Sequence, residues 1–517
     1  MIFFKSKPLK ELRDNQVHKK IREIKRKLGE VNLKPNGANK FYSYDRNLSI
    51  NQFLLNFLAG QRLKNAMVFY LRTGFPILFL PLPKAYQRVL KNSDIKISSI
   101  TSSISFHILS LLFFVYGSIY FFKIIFRALL KKSSVVKSRY MYFDRINYNN
   151  LPKYYPDGKS YDIITWFSSF LNLKNEVIKT PIQSNFIDNK NNSISFKAFP
   201  FELSKEIHFI SLFILRSLKH IIKTFFSFNW SNYFLLKEDI DSILYRVGSS
   251  DFINLTTYIV PNHITIFRPI WTYYAEQNGV KIYSYFYSVS SEPESKVENE
   301  EDTNFLFLLN WPNILVYNER QKNVLESSCQ KGTHIILTEP IYYNTSKIDL
   351  LNNDFPILAI FDIEPINFSE HFSISTYQDY DLNNSKFHIK FLQDIIDITK
   401  NLNCIVVLKP KREMSPKRQV KDYVLFINNI KSSIKIVDSN IATHRIIEKA
   451  TCVISFPFTS TAFIAKEYNI KYNAFYDSSC TLSINDRASS GVLMINNKDH
   501  LKQWLINCFP VKTLDGL

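Results

Sequence analysis

Cysteine and glycine are both scarce in this chain of 517 residues, and neither is spaced for chemistry. The five cysteines, Cys329, Cys404, Cys452, Cys480 and Cys508, are odd in number and contain no C-x-x-C pair. That excludes a disulfide framework and a cysteine zinc site, and it suits a reducing compartment. No G-x-G-x-x-G, no P-loop glycine pattern and no H-E-x-x-H occurs, so dinucleotide oxidoreductases, P-loop NTPases and zincins have no support. The opening MIFFK is followed by no sustained apolar core with a small-residue cleavage site, so secretion is not expected. Charge is also missing in one telling place: residues 97–122 contain no Asp, Glu, Lys or Arg.

What is present is apolar and basic. Hydrophobic residues make up 46% of the chain, with 44 Phe and 29 Tyr, enough for about three folding units at ~150 residues each. The net charge of +20 seeks an anionic partner. Its distribution narrows the choice, because the first 96 residues hold 20 Lys/Arg against six acids. Residues 11–27 read as a basic helix in which Arg22, Lys25, Arg26 and Lys27 would be drawn to anionic headgroups, a solvated charged helix being the equal alternative. Nucleic acid is ranked last as a partner, since the excess lies beside an apolar segment and no nucleic-acid motif occurs.

That segment, residues 104–122 (ISFHILSLLFFVYGSIYFF), is nearly long enough at ~1.5 Å per residue to cross a bilayer core of about 30 Å. Lys84, Arg88, Lys91 and Lys96 precede it while Lys123, Arg127, Lys131 and Lys132 follow, so both flanks claim the same side of a membrane. Residues 66–83 would form the other limb of a re-entrant hairpin, and a buried core helix is the competing reading. Residues 201–228 show apolar spacings of three and four with Arg216, Lys219 and Lys223 mostly off that face, an amphipathic basic helix that suits a membrane interface, packing against the sheet of a globular domain being the more frequent explanation of such a pattern.

Beyond residue 235 short β-rich runs alternate with helical periods. In the last 165 residues the strands 355–361 (FPILAIF), 404–408 (CIVVL), 434–437, 452–455 and 471–476 are separated by helical stretches, the signature of a parallel sheet covered on both faces. Ligands of such sheets bind outside the carboxyl ends of the strands. The residues there are Asp362 and Glu364; Lys409, Lys411 and Arg412; Pro457, Phe458, Thr459, Ser460 and Thr461; and Asp477. Three successive hydroxyls opening a helix, with cations at a neighbouring strand end, suit a diphosphate; ordinary N-capping is the alternative. Asp362 is the first choice for a base that accepts an acceptor hydroxyl proton and Glu364 the second. His263, Arg268 and Trp271 are candidates on the preceding domain. Asp239-Ile240-Asp241 and Asp379-Tyr380-Asp381 match a D-x-D metal pattern but sit in hydrophilic, loop-like surroundings, so surface charge and no metal is the expectation.

The strings FPFTSTAFIAKEYNIKYNAFYD (456–477), VVLKPKR (406–412), IFDIEP (360–365), FRPIWTYYAEQNGVKIYSYFYS (267–288) and NWPNILVYNERQ (310–321) resemble the polysaccharide biosynthesis PFTS motif family of bacterial surface-glycan clusters. The resemblance spans roughly 140–505 and is most specific at Pro457-Phe458-Thr459-Ser460. It implies an α/β chain of two Rossmann-like domains of GT-B type, acting as a glycosyltransferase on a nucleotide-sugar co-substrate with no further cofactor. The expected divisions are a basic, partly hydrophobic helical region at 1–139, an acceptor-side domain at 140–345 and a nucleotide-sugar domain at 346–517. The expected partners are a nucleotide-sugar donor, a lipid-linked glycan acceptor of O-antigen or capsule type and an anionic membrane surface, at the cytoplasmic face of the inner membrane. A non-catalytic glycan-assembly scaffold is the alternative.

Overall fold

The computed structural model describes residues 14–31, 45–130, 139–144, 163–170, 177–180, 194–196, 203–248, 254–261, 267–286, 308–317, 319–329, 332–338, 355–365, 385–413, 419–439, 441–480, 489 and 491–509. The chain divides into two compact units. The first comprises Met1–Leu151, Phe167–Tyr287 and Thr303–Glu339, and the second Pro152–Trp166, Ser288–Asp302 and Pro340–Leu517.

The first unit is built on seven strands: β1 (Tyr140–Phe143), β2 (Val177–Thr180), β3 (Ile194–Phe196), β4 (Leu255–Pro261), β5 (Lys281–Tyr285), β6 (Asn313–Val316) and β7 (His334–Leu337). All pair in parallel, in the order β3-β2-β1-β4-β5-β6-β7. β1 and β4 are buried on both faces, which is why they read as continuous apolar and aromatic runs rather than alternating ones. The helices, in chain order, are α1 (Asp14–Gly29), α2 (Arg46–Phe53), α3 (Gly60–Thr73), α4 (Lys84–Asn92), α5 (Ser99–Leu130), α6 (Ile163–Phe170), α7 (Ile207–Phe226), α8 (Trp230–Tyr233), α9 (Leu236–Val247), α10 (Trp271–Gln277) and α11 (Glu319–Ser328). Gly279, at φ +84°, ends the turn after α10 in the left-handed conformation that glycine adopts without strain.

Residues 45–130 do not stand apart from this sheet. Phe53 packs edge-on against Phe113 and Phe267, and Gln52 Nε2 donates to Leu308 O. The expected hairpin limb at 66–83 is partly packed into the first unit: Met67, Leu80 and Leu82 are buried in one cluster with Ile21, Ile24 and Leu28 of α1, while Phe75 and Phe79 stay exposed. Arg46 closes the arrangement through a two-pronged contact, Nη1 to Asp239 Oδ1 at 2.7 Å and Nη2 to Oδ2 at 2.8 Å, both partners buried.

The second unit is smaller and more regular. Strands β8 (Ile357–Phe361), β9 (Ile405–Lys409), β10 (Lys435–Ile436), β11 (Cys452–Ser455), β12 (Tyr472–Tyr476) and β13 (Leu493–Ile495) form a parallel sheet in the order β10-β9-β8-β11-β12-β13. Its helices are α12 (Ser385–Thr399), α13 (Lys421–Ile430), α14 (Thr443–Ile447), α15 (Ser460–Glu467) and α16 (Lys498–Cys508). One face is filled by Leu358, Ile360, Phe391, Leu408, Ile454 and their neighbours, the other by Ala359, Val407, Val453, Ile446 and Ala465. Both units therefore carry a doubly wound parallel sheet, the α/β class read from the strand alternation.

Candidate functional site

In each sheet the sequence order of strands runs outward in both directions from one pair, and there the connections leave in opposite senses and open a crevice at the carboxyl ends. In the second unit that pair is β8 and β11. Ser455 is in register with Phe361, and Phe456 N–H donates to Phe361 O at 2.8 Å. Asp362, Ile363 and Glu364 thus leave β8 directly beside the run Phe456, Pro457, Phe458, Thr459, Ser460, Thr461 leaving β11.

That run is shaped to leave backbone donors open. Phe458 sits at φ +58°, a left-handed conformation that non-glycine residues rarely adopt, and its ring packs on Phe475 at 5.8 Å. Thr459 is the N-cap residue of α15, yet its side chain makes no capping bond. The Thr459 hydroxyl turns back to Phe456 O at 2.9 Å and shares a hydrogen bond with Thr461 Oγ1 at 2.9 Å, which in turn meets Ser455 Oγ at 2.7 Å. The hydroxyls hold one another, and the first N–H groups of α15 keep the positive end of the helix dipole uncapped.

Glu364 faces this run from β8. It is buried, its Oε1 accepts from Arg412 N–H at 2.8 Å, and burial, partly offset by that bond, raises its pKa above the ordinary carboxyl value. Asp362, the first choice for the base, is corrected by its surroundings. Its side chain is fully enclosed; Oδ1 accepts from His388 Nδ1 at 2.9 Å and Oδ2 from the Tyr423 hydroxyl. Burial and then the Asp362 carboxylate push the Tyr423 phenol well above its ordinary range, so it is a standing donor. Both oxygens being spoken for inside the core, Asp362 holds α12 and α13 to the end of β8.

The basic residues separate by position. Lys409 ends β9, which neighbours β8 and lies two strand spacings, ~10 Å, from β11. Its Nζ donates to Pro410 O and Ser439 O, each at 3.1 Å, and burial lowers its pKa, so it ties the β9 and β10 ends together. Lys411 is exposed and Arg412 half-buried on the turn that reaches Glu364. Asp477, after β12, is buried and accepts from Ser479 N–H at 2.9 Å and from Ser479 Oγ at 2.5 Å, a local turn.

In the first unit Arg268 and Trp271 are both interior. Arg268 donates to Thr272 Oγ1 and Asn310 O at 3.0 Å and stacks over the Tyr273 ring at 4.0 Å, while Trp271 packs against Tyr258 at 4.9 Å. The geometry gives them a packing role. His263 and Asp379-Tyr380-Asp381 lie outside the described residues. Asp239-Ile240-Asp241 is not a surface loop: it lies on α9, with Asp239 bound to Arg46 and Asp241 Oδ1 accepting from the Tyr120 hydroxyl at 2.7 Å. Sequence reasoning missed His388, whose ring stacks on Phe456 at 4.3 Å, and Tyr423. Both sit at apolar-register positions of amphipathic helices and so read as core. Among the described residues no group of three His, Cys, Asp or Glu is arranged to hold a metal ion.

The family model described as "Polysaccharide biosynthesis PFTS motif protein" matches residues 216–505. No curated protein matches the chain. Among solved structures, the wall teichoic acid polymerase TagF is 9% identical, covers 77% of this chain and 87% of its own, and has a TM-score of 0.37. UGT2 of Phytolacca americana is 10% identical, with 71% and 90% covered and a TM-score of 0.33. The UDP-N-acetylglucosamine 2-epimerase of Rickettsia bellii is 10% identical, with 72% and 87% covered and a TM-score of 0.35.

Proposed function

The chain belongs to the polysaccharide biosynthesis PFTS motif proteins, and from that premise we propose that it is a glycosyltransferase of GT-B type whose second unit binds a nucleotide-sugar. The observation that carries this reading is the juxtaposition at the strand reversal: the uncapped N-terminus of α15 after β11, and Glu364 after β8, on neighbouring strands. The α15 N–H groups and Ser460 receive the phosphates, with Lys411 and Arg412 adding positive charge as the nucleotide leaves. Glu364, its proton affinity raised by burial, accepts the proton of the acceptor hydroxyl while that oxygen bonds to the anomeric carbon. The acceptor is a lipid-linked surface glycan of O-antigen or capsule type, met at the cytoplasmic face of the inner membrane, and the reaction runs without a metal.

The test is a thermal-shift screen against UDP, GDP, CMP, TDP and ADP, repeated with Ser460→Ala and Lys411→Ala. One nucleotide that stabilises the wild type and neither variant supports the reading and identifies the donor class. No shift with any nucleotide would favour a non-catalytic scaffold.

A further inference from the structure

α5 has two different faces along its whole length. Ser102, Phe106, Gly117, Tyr120, Ile124 and Ala128 recur on one side and are buried against the first unit. This is a tight seat: the position of a Cβ at Gly117 is 2.9 Å from Leu236 Cγ, and beneath the helix the Tyr120 hydroxyl meets Asp241, which also accepts from Lys237 Nζ at 2.6 Å. The opposite side repeats Ile104, Ile108, Val115, Ile119, Phe122 and Phe126, all exposed, Ile119 to 60%. From 104 to 126 that stripe is about 33 Å long at ~1.5 Å per residue.

The stripe does not stand alone. α7 runs antiparallel beside α5, with Phe121 against Phe213 at 5.7 Å and Phe114 against Phe225 at 5.6 Å. It exposes Leu215, Leu218, Ile222 and Phe226 on its own outer side. At the start of α5 the segment carrying Phe75 and Phe79 is fastened by the Ile77–Ile97 bridge and by Thr101 Oγ1 donating to Leu78 O, and Phe79 is 73% exposed. A continuous apolar surface of this extent is far beyond what scattered surface side chains require. Its border is cationic: Lys123 and Arg127 on α5 and Arg216, Lys219 and Lys223 on α7 are exposed, as are Lys84, Arg88, Lys91 and Lys96 ahead of α5. An apolar plane rimmed by positive charge complements an anionic lipid surface and not a second, equally basic copy of this chain.

We propose that the outer faces of α5 and α7, with Phe75 and Phe79, form a single docking surface that lies in the headgroup boundary of an anionic bilayer, and that α5 does not cross it. A crossing would either strip α5 from α9, breaking the Tyr120–Asp241 hydrogen bond, or carry α9 with its Asp241–Lys237 pair into hydrocarbon. Lying flat leaves every packed contact in place and keeps both basic flanks on one side. The proposal deepens the reading of an enzyme that meets a lipid-linked acceptor and rests on that reading for its purpose alone, since the measurement below involves neither donor nor acceptor.

The experiment is flotation of the purified full chain with vesicles of phosphatidylcholine containing 30% phosphatidylglycerol, or none, at low and high salt. The wild type should float with the anionic vesicles, less with neutral ones, and Val115→Glu/Ile119→Glu should reduce partitioning roughly tenfold or more with an unchanged melting profile. Nitroxides at Ile104→Cys, Val115→Cys and Phe126→Cys on a Cys480→Ser background should report equal depth. Position 115 deeper than the other two by about 16 Å would make α5 a span and overturn the proposal. Equal flotation of wild type and variant would overturn it as well. So would a wild-type dimer that the variant dissociates without any vesicle binding, which would assign the face to a second copy.

Discussion

The backbone N–H of Arg412 reaches Glu364 Oε1 at 2.8 Å, so the turn after β9 is fastened to the residue that leaves β8 beside the α15 N-terminus. The contact fixes the carboxylate through a donor that cannot titrate, while burial raises its pKa.

Glu364 should therefore leave a mark on the pH dependence of stability. The native state holds this proton to higher pH than the unfolded chain, so the wild type loses stability as pH rises through the raised value. Glu364→Gln keeps the oxygen that accepts from Arg412 and removes the titration. It should be the more stable protein at neutral pH, the gap closing as pH falls to the ordinary carboxyl range. Its turnover should fall roughly 10²- to 10⁴-fold with nucleotide binding retained. Melting curves across that pH range and single-turnover assays check both.

His444, buried on α14, behaves in the opposite sense. Burial, helped by the neighbouring Arg445 charge, lowers its pKa to about 4. Between that value and the ordinary imidazole range the unfolded chain binds more protons, so stability rises with pH through the window and is lost as pH falls. Urea midpoints of His444→Gln should be flatter than those of the wild type over this window, and parallel profiles would show that another group governs it.

Gly117→Ala should loosen α5. The added methyl meets Leu236 Cγ at 2.9 Å, and overpacking of this kind costs about 1–3 kcal/mol against a helix-propensity gain of ~1. Adding Leu236→Ala should recover part of the loss. Denaturant melts of the two variants measure it, and a stabilised single variant would place the helix farther from α9.

Arg46→Met should be the most damaging of these substitutions, because it leaves the Asp239 carboxylate buried. Burial works against that charge, and Arg46 and then His220 hold the Asp239 pKa well below the usual carboxylate range. Breaking such a pair costs about 3–5 kcal/mol, whereas Arg46→Met/Asp239→Leu should lose much less. A double-mutant cycle on thermal stability tests the coupling.

The second sheet is legible from sequence because its information is local. FPILAIF, CIVVL and the PFTS turn announce strands and a helix start within windows of ten residues, and β8, β9, β11, β12 and α15 lie within a residue or two of those windows. Strands β1 to β3 are not legible in the same way, being short and far apart in sequence. Long-range pairings leave no local signal either. Arg46 and Asp239 are 193 positions apart, and nothing near Asp239-Ile240-Asp241 distinguishes a buried ion pair from a surface acidic motif. The same reason put Asp362 first for the base: its position after a strand is visible in the sequence, but His388 and Tyr423 closing over it are not. For α5 the apolar composition is visible, whereas its division into a packed and an open face emerges only once Gly117 meets Leu236.

Docking of the outer face of α5 on lipid, as proposed, would change the dimensionality of the search for a lipid-borne acceptor. A chain held flat on a bilayer finds lipid-borne molecules by lateral diffusion, and its encounter rate follows their number per unit area rather than their concentration in solution. Diluting the membrane with inert lipid at constant total acceptor would then slow such a chain, while diluting the buffer around the same vesicles would not.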